Sequence, residues 1–239
     1  MKTTIFFDLD GTLLPMDFNQ FMKKYFAGLA KHFYDLMDPT TLQKAVMGGT
    51  EAMVKDHSER TNEDVFMTYF RQFIDGDIGP YQERFNTFYV SEQFKAVKEA
   101  TTQSAVMQEA INILKDKGYE IVIATNPLFP MQANLERIEW AGLNKDDFTL
   151  ITSLEGNTKC KPSPLFYQEL LDTLSLEASD VLMVGNDYVE DLAASECGIE
   201  TYIVKGCTLN DDIKQYQADF DTSDKDFLTY VKALPKITQ

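Results

Sequence analysis

Apolar positions follow two different rhythms along this chain. Near the N-terminus Ile5, Phe6 and Phe7, with Leu9 just beyond, run straight into Asp8, Asp10, Gly11 and Thr12. A continuous apolar run of this kind, over residues 3–8, predicts a strand buried on both faces. From residue 17 to residue 94 no comparable run occurs. Phe18, Phe21, Met22, Tyr25, Phe26 and Leu29 recur instead at three- and four-residue spacings, the period of an amphipathic helix. "DPTTLQKAVM" predicts a second helix, with Asp38 as N-cap, Pro39 in the first turn and Gly48-Gly49 as its stop. "TNEDVFMTYFRQFI" predicts a third, capped by Thr61 or Asn62 and ended by Asp75-Gly76.

After residue 98 the rhythm changes. "SAVMQEAINILKDKG" reads as a helix closed by Gly118, and "YEIVIATN" as a buried strand. Helix "MQANLERIEWAGL", short strand "FTLIT", helix "PSPLFYQELLDTL" beginning at Pro162, and strand "DVLMVGND" follow in turn. Helix "VEDLAASECG", closed by Gly198, and strand "ETYIVK" complete the alternation, and the tail "DTSDKDFLTYVKALPKITQ" predicts one short helix and a frayed end. Helices alternating with unbroken apolar strands predict an α/β fold: a parallel, Rossmann-like sheet with helices on both faces and right-handed crossovers. Residues 1–15 and 98–239 are expected to form this core, and 16–97 an inserted all-helical region. The two joining stretches, 14–17 and 99–104, are candidate hinges.

In such sheets ligands bind beyond the C-terminal strand ends. Three predicted strands end in polar residues: Asp8 and Asp10, Thr125 and Asn126, Asn186 and Asp187. Lys161-Pro162 stands just before a helix. Residues i and i+2 of a strand share a side, so Asp8 and Asp10 face one space, where they repel unless a cation lies between them.

Charge and composition narrow the partners. Lys plus Arg number 22 against 38 Asp plus Glu, a formal net charge of −16, which argues against nucleic-acid backbones and anionic membranes. No apolar run approaches the length of a membrane span, and no signal-peptide pattern is present. Cys160, Cys197 and Cys207 lack metal-ligand spacing and read as free, mostly core thiols of a cytoplasmic protein. His32 and His57 have no ligand-like partners nearby and read as structural or exposed. The Gly48-Gly49 pair reads as a helix stop in preference to a phosphate cradle.

Taken together these residues resemble the haloacid dehalogenase superfamily. Its DxDGT motif is matched by Asp8-Leu9-Asp10-Gly11-Thr12, and its strand ending in Ser or Thr by "IVIATN" with Thr125. Its Lys-Pro is matched by Lys161-Pro162, with Lys159 as competitor, and its acidic pair by "VLMVGNDYVEDLAAS". The last motif departs from the family pattern, because Asn186 stands where an acid is usual and Asp187 follows. The inserted region occupies the position of the family's helical C1 cap.

The resemblance implies a Mg²⁺-dependent phosphatase acting on a small phosphate ester. Asp8 is implied as nucleophile and Asp10 as general acid and base. Thr125, Asn126 and Lys161 are implied to hold the phosphate. Asp8, Asp10 through its main chain, and either Asn186 or Asp187 are implied to hold the metal, an ionised oxygen favouring Asp187. Asp191 is implied to orient this cluster from behind. A phosphomutase, a 2-haloacid dehalogenase and a non-catalytic binding module are the alternatives; Asp10 speaks against the dehalogenase. The leaving group depends on the inserted region and is not legible here.

Overall fold

The computed structural model of the protein describes residues 2–213 and 215–237. Six strands form one sheet, β1 (Thr4–Phe7), β2 (Glu120–Ile123), β3 (Leu150–Ile151), β4 (Val181–Gly185), β5 (Glu200–Lys205) and β6 (Phe220–Ser223). Their order is β3-β2-β1-β4-β5-β6, and every neighbouring pair is parallel. The chain steps outward from β1 to β3, then returns beside β1 as β4 and steps outward the other way. The order therefore reverses between β1 and β4, the place where doubly wound sheets open a crevice. Register delivers the same point: Phe7 lies opposite both Ile123 and Val184, so the residues that follow all three strands emerge together.

Alternation along the strands divides the core. Ile5, Phe7, Ile121, Ile123, Leu182 and Val184 pack on α6 (Ala105–Asp116) and α9 (Asp224–Ala233). Phe6, Val122, Val181 and Met183 point the other way, onto α8 (Pro164–Leu174). Between β1 and β2 lies the inserted helical region: α1 (Phe18–His32), α2 (Pro39–Lys55), α3 (Asn62–Phe70), α4 (Gly79–Phe88) and α5 (Glu92–Lys95). α7 (Met131–Trp140) joins β2 to β3. The apolar core runs from the sheet into the insertion, with Phe94 on Trp140 at 5.2 Å and Tyr25 on Phe129 at 5.5 Å between ring centroids. The two joining stretches pair with each other through a Met16–Thr101 bridge. Thr102 N donates to Pro15 O at 2.8 Å, and Asp17 N to Ala100 O at 3.0 Å.

Several local expectations need correction. Gly48-Gly49 does not stop α2, which runs on to Lys55. Instead α3 crosses it here, where a Cβ on Gly48 would lie 2.4 Å from the Tyr69 hydroxyl and one on Gly49 2.6 Å from Phe66 Cδ2. α8 begins at Pro164 under a Ser163 cap, not at Pro162. "VEDLAASECG" forms only a 3-10 turn, Leu192–Cys197, because Asp187 and Asp191 hold the preceding residues in a turn of their own. β6 is an added strand; its Phe220 stacks on Tyr202 at 5.2 Å. The tail is pinned rather than frayed as far as residue 237, with Ile237 N on Lys117 O at 2.7 Å and Tyr119 Oη on Pro235 O at 3.0 Å; the last two residues lie outside the described part. Of the cysteines only Cys160 is buried. Among the described residues no helix is long and apolar enough to cross a membrane.

Candidate active site

β1 hands its chain directly to the crevice. Asp8 N still donates to Val184 O at 2.9 Å, after which the backbone turns at Gly11, whose φ is 89°. A Cβ at Gly11 would fall 2.3 Å from Asn186 Nδ2, so this turn admits only glycine. Thr12 Oγ1 donates to Asn186 Oδ1 at 3.0 Å, and Asn186 Nδ2 donates to Cys207 O at 2.6 Å. Both ends of the Asn186 amide are thus committed to latching the β1 turn to β4. Asn186 and its neighbour Asp187 both line the crevice.

Lys161 is completely buried and joins two motifs. Its Nζ donates to Asp8 Oδ1 at 2.9 Å and to Asp191 Oδ1 at 2.6 Å. Burial works against its charge, but Asp191 and Asp8 outweigh that and hold its pKa well above the usual lysine value. Burial pushes the Asp8 carboxyl well up; Lys161 opposes this, while Asp191 and Asp10 add to it. Asp191 Oδ2 accepts from Asn186 N at 2.8 Å and Asp187 N at 2.9 Å. A Cβ at Gly185 would lie 2.0 Å from that same oxygen. Asp191 therefore fixes Lys161 and the loop at once. Lys159 turns elsewhere, to Ser58 O at 2.6 Å and Glu59 Oε1 at 3.2 Å.

Asp10 has a partner that no sequence motif announced. Arg137, fully buried on α7, donates to Asp10 Oδ2 through Nη1 and to Asn134 Oδ1 through Nη2. Its guanidinium lies 4.3 Å from the centre of the Phe129 ring. Asp10 Oδ1 is buried without a hydrogen-bond partner. The signal that could have found Arg137 is helical phase: Ala133, Arg137 and Trp140 lie on one buried face of α7.

The remaining polar strand ends converge here as well. Asn126 accepts from Lys161 N at 3.2 Å and donates to Glu190 Oε1 at 3.0 Å, so its amide braces Lys161. Thr125 is buried and lines the crevice. Asp187 Oδ1 accepts from Val189 N at 2.8 Å and Glu190 N at 3.0 Å, and both its oxygens lie 2.9 Å from Asn210 Nδ2. Among the described residues no three carboxylate, histidine or cysteine side chains close around one point as a complete metal site. The donor chemistry nonetheless fits a small hard cation, which takes one or two carboxylates, substrate oxygens and water. Asp8 and Asp187 supply those carboxylates on one wall, and Asp10, whose Oδ1 is buried without a hydrogen-bond partner, lines the same crevice.

Above these groups the inserted region encloses a cavity of about 760 Å³, lined by Asp8, Asp10, Thr125 and Asp187 below and by residues of α1 to α4 above. Tyr25 and Tyr89, both on its wall, bond to each other at 3.0 Å, and burial pushes the Tyr25 hydroxyl up to about 12. His32 and His57 do not line it.

Comparison with known proteins bears on the family and the fold. The family model described as haloacid dehalogenase-like hydrolase matches residues 2–198. A ribulose-1,5-bisphosphate 5-phosphatase of Halopiger xanaduensis is 25% identical over 205 residues, covering 85% of this chain and 84% of that protein. A pyrophosphatase PpaX of Bacillus mycoides is 22% identical over 204 residues, covering 84% and 82%. The crystal structure of a HAD phosphatase from Thermococcus onnurineus superposes with a TM-score of 0.62 at 17% identity, covering 99% of this chain and 100% of that one.

Proposed function

The chain belongs to the haloacid dehalogenase-like hydrolases, and from that premise we propose that it is a Mg²⁺-dependent phosphatase of small phosphate monoesters. One observation carries the reading: Asp8 and Asp10 stand at a strand end, in one cavity, each with a buried cation behind it. The similarity to a bisphosphate phosphatase and a pyrophosphatase supports phosphoryl chemistry. In this reading residues 1–15 and 98–239 are the catalytic core and 16–97 the cap.

Asp8 is the nucleophile. Its Oδ2, the oxygen not held by Lys161, attacks phosphorus as the ester P–O bond breaks, giving an aspartyl-phosphate and the alcohol. Asp10 gives the leaving oxygen its proton and then takes one from a water, whose oxygen bonds to phosphorus as the Asp8 O–P bond breaks, releasing inorganic phosphate and the free carboxylate. Arg137 holds Asp10 Oδ2, which leaves Oδ1 as the oxygen that carries the proton. The Thr125 hydroxyl faces the negative phosphoryl oxygens, and Lys161, bonded to Asp8 Oδ1 and Asp191, adds its positive charge from behind Asp8. Asp8, Asp187 and the Asp10 carbonyl would hold Mg²⁺, which when bound neutralises phosphoryl charge. The insertion excludes bulk water, strengthening each of these interactions.

Hydrolysis of p-nitrophenyl phosphate by the purified protein with Mg²⁺ tests the proposal. Phosphate release that stops with EDTA is the expected outcome. Full activity in chelator, or chloride release from a 2-haloacid, overturns it.

A further inference from the structure

The walls of the cavity say what the phosphate is attached to. Above the carboxylates the lining is dominated by Phe, Tyr, Met, Leu and Val side chains. Among the described residues its uncharged polar groups from the inserted region are those of Thr50, Gln82 and Asn86 and the Tyr25 and Tyr89 hydroxyls; the two hydroxyls bond to each other, and Thr50 donates to Val46 O at 3.0 Å. No Lys, Arg or His lines the cavity among the described residues, and the one charged side chain of the inserted region on its wall is Glu63, an acid. Arg137 is closed off beneath Phe129 and committed to Asp10. Lys161 is taken by Asp8 and Asp191. Phe18 and Met47 line the same cavity while remaining about half exposed, so part of its apolar wall is accessible to a ligand.

We propose that the alcohol released by this enzyme is uncharged and chiefly apolar, an alkyl or aryl group without a second phosphate or a carboxylate. The inference rests on the phosphatase reading above and specifies its substrate class. Two effects point the same way. A second anion in the leaving group would sit among carboxylates with no cation to receive it, and like charges placed together in a dry site repel strongly. An apolar group would instead remove both itself and the aromatic wall from water. The volume of about 760 Å³ lies within the range of about 300–1,000 Å³ typical of sites that enclose whole organic ligands, and is far more than a glycolyl group fills. The bisphosphate and pyrophosphate of the named relatives are thus poor fits for this chain.

The test is a matched series on the full protein with Mg²⁺: ethyl, butyl and hexyl phosphate against pyrophosphate, 2-phosphoglycolate and choline phosphate, with p-nitrophenyl phosphate as control. Up the alkyl series kcat/KM is expected to rise about fourfold per buried methylene. Pyrophosphate and phosphoglycolate should fall on the order of a hundredfold below hexyl phosphate. Glu63→Lys, at an exposed position on the wall, should raise pyrophosphate relative to hexyl phosphate by about tenfold. Calorimetric binding should favour hexylphosphonate over phosphonoacetate in the same order without turnover. A flat alkyl series, or pyrophosphate, phosphoglycolate or choline phosphate matching hexyl phosphate, overturns the inference and leaves the phosphatase standing. Failure to cleave even p-nitrophenyl phosphate brings both down.

Discussion

Asp8→Asn and Asp10→Asn each remove one carboxylate from the same strand end, yet their effects on stability should differ sharply. Asp8 is buried and its charge is disfavoured there. Its cation, Lys161, keeps Asp191 at 2.6 Å when Asp8 is neutral, so Asp8→Asn should stay within about 1 kcal/mol of wild type. Asp10 is different because of what it neutralises. Arg137 is fully buried, and Asp10 is its one ion-pair partner among the described residues. Removing one member of a buried pair costs about 3–5 kcal/mol. The Asp10 side chain is 25% exposed, Asn retains a carbonyl acceptor, and Asn134 and Phe129 still hold the guanidinium, which together reduce the loss to about 2–3 kcal/mol. For a chain of this size that is a fall in Tm of about 5–10 °C. Urea and thermal unfolding, followed by circular dichroism and fluorescence, measure it. Both are run in chelator, so that a bound ion does not stabilise one variant selectively. In an Arg137→Met background the cost of Asp10→Asn should vanish, a coupling of about 2 kcal/mol. Equal stability of the two single variants, or the same cost with and without Arg137, would refute the reasoning.

Gly49→Ala should lose about 1–2 kcal/mol in urea unfolding, since overpacking against Phe66 outweighs the roughly 1 kcal/mol of helix propensity gained; a more stable variant means the ring can yield. Burial, more than any neighbour, raises the Glu190 carboxyl to about 7, with Asp187 and Asp191 adding to it and Lys161 and Asn126 opposing. The native state then holds a proton that the unfolded chain releases from its ordinary value of 4.5, so in chelator stability should fall as pH rises from about 4.5 to 7, by at most about 3 kcal/mol. Glu190→Gln should flatten that slope, and a variant with the wild-type profile places the titration elsewhere. Lys161→Met should abolish p-nitrophenyl phosphate hydrolysis and cost about 3–5 kcal/mol by leaving Asp8 and Asp191 facing each other. Lys159→Met should keep most of the activity, and the reverse pattern would exchange their roles.

What could be read in advance, and what could not, follows from the range of the forces involved. A buried parallel strand has to be apolar along its whole length, so "IFF", "IVI" and "VLMV" announced β1, β2 and β4. Polar residues directly after such runs can only lie at strand ends, which brought Asp8, Asp10, Thr125 and Asp187 to one crevice. The misses depend on a neighbour distant in sequence. Gly48-Gly49 reads as a stop until α3 is laid across it. Nothing near Asn186 in sequence announces its latch to Thr12, 174 residues away. β6 has a single aromatic in "FDTS", and only the stacking of Phe220 on Tyr202 marks it as a strand. Arg137 draws no reading from the sequence, and only the packing of α7 sets it against Asp10.

The same limit governs the substrate. A net charge of −16 is a property of the whole chain, and it argues against polyanions at long range, where salt screens it. Discrimination between one phosphate ester and another is decided within a few ångströms, by which of the 22 basic residues face the leaving group. The fold answers that question by subtraction. Each cation near the reacting carboxylates is tied to one: Lys161 to Asp8 and Asp191, Arg137 to Asp10, and Lys159 to Glu59. A leaving group that carried its own anion would have to break one of those pairs. Breaking the first two would dismantle the proposed catalytic centre. If the proposed selectivity against charged leaving groups holds, it is coupled to the integrity of the active site itself, and a variant that gains a bisphosphate substrate should do so by adding a cation, not by freeing one.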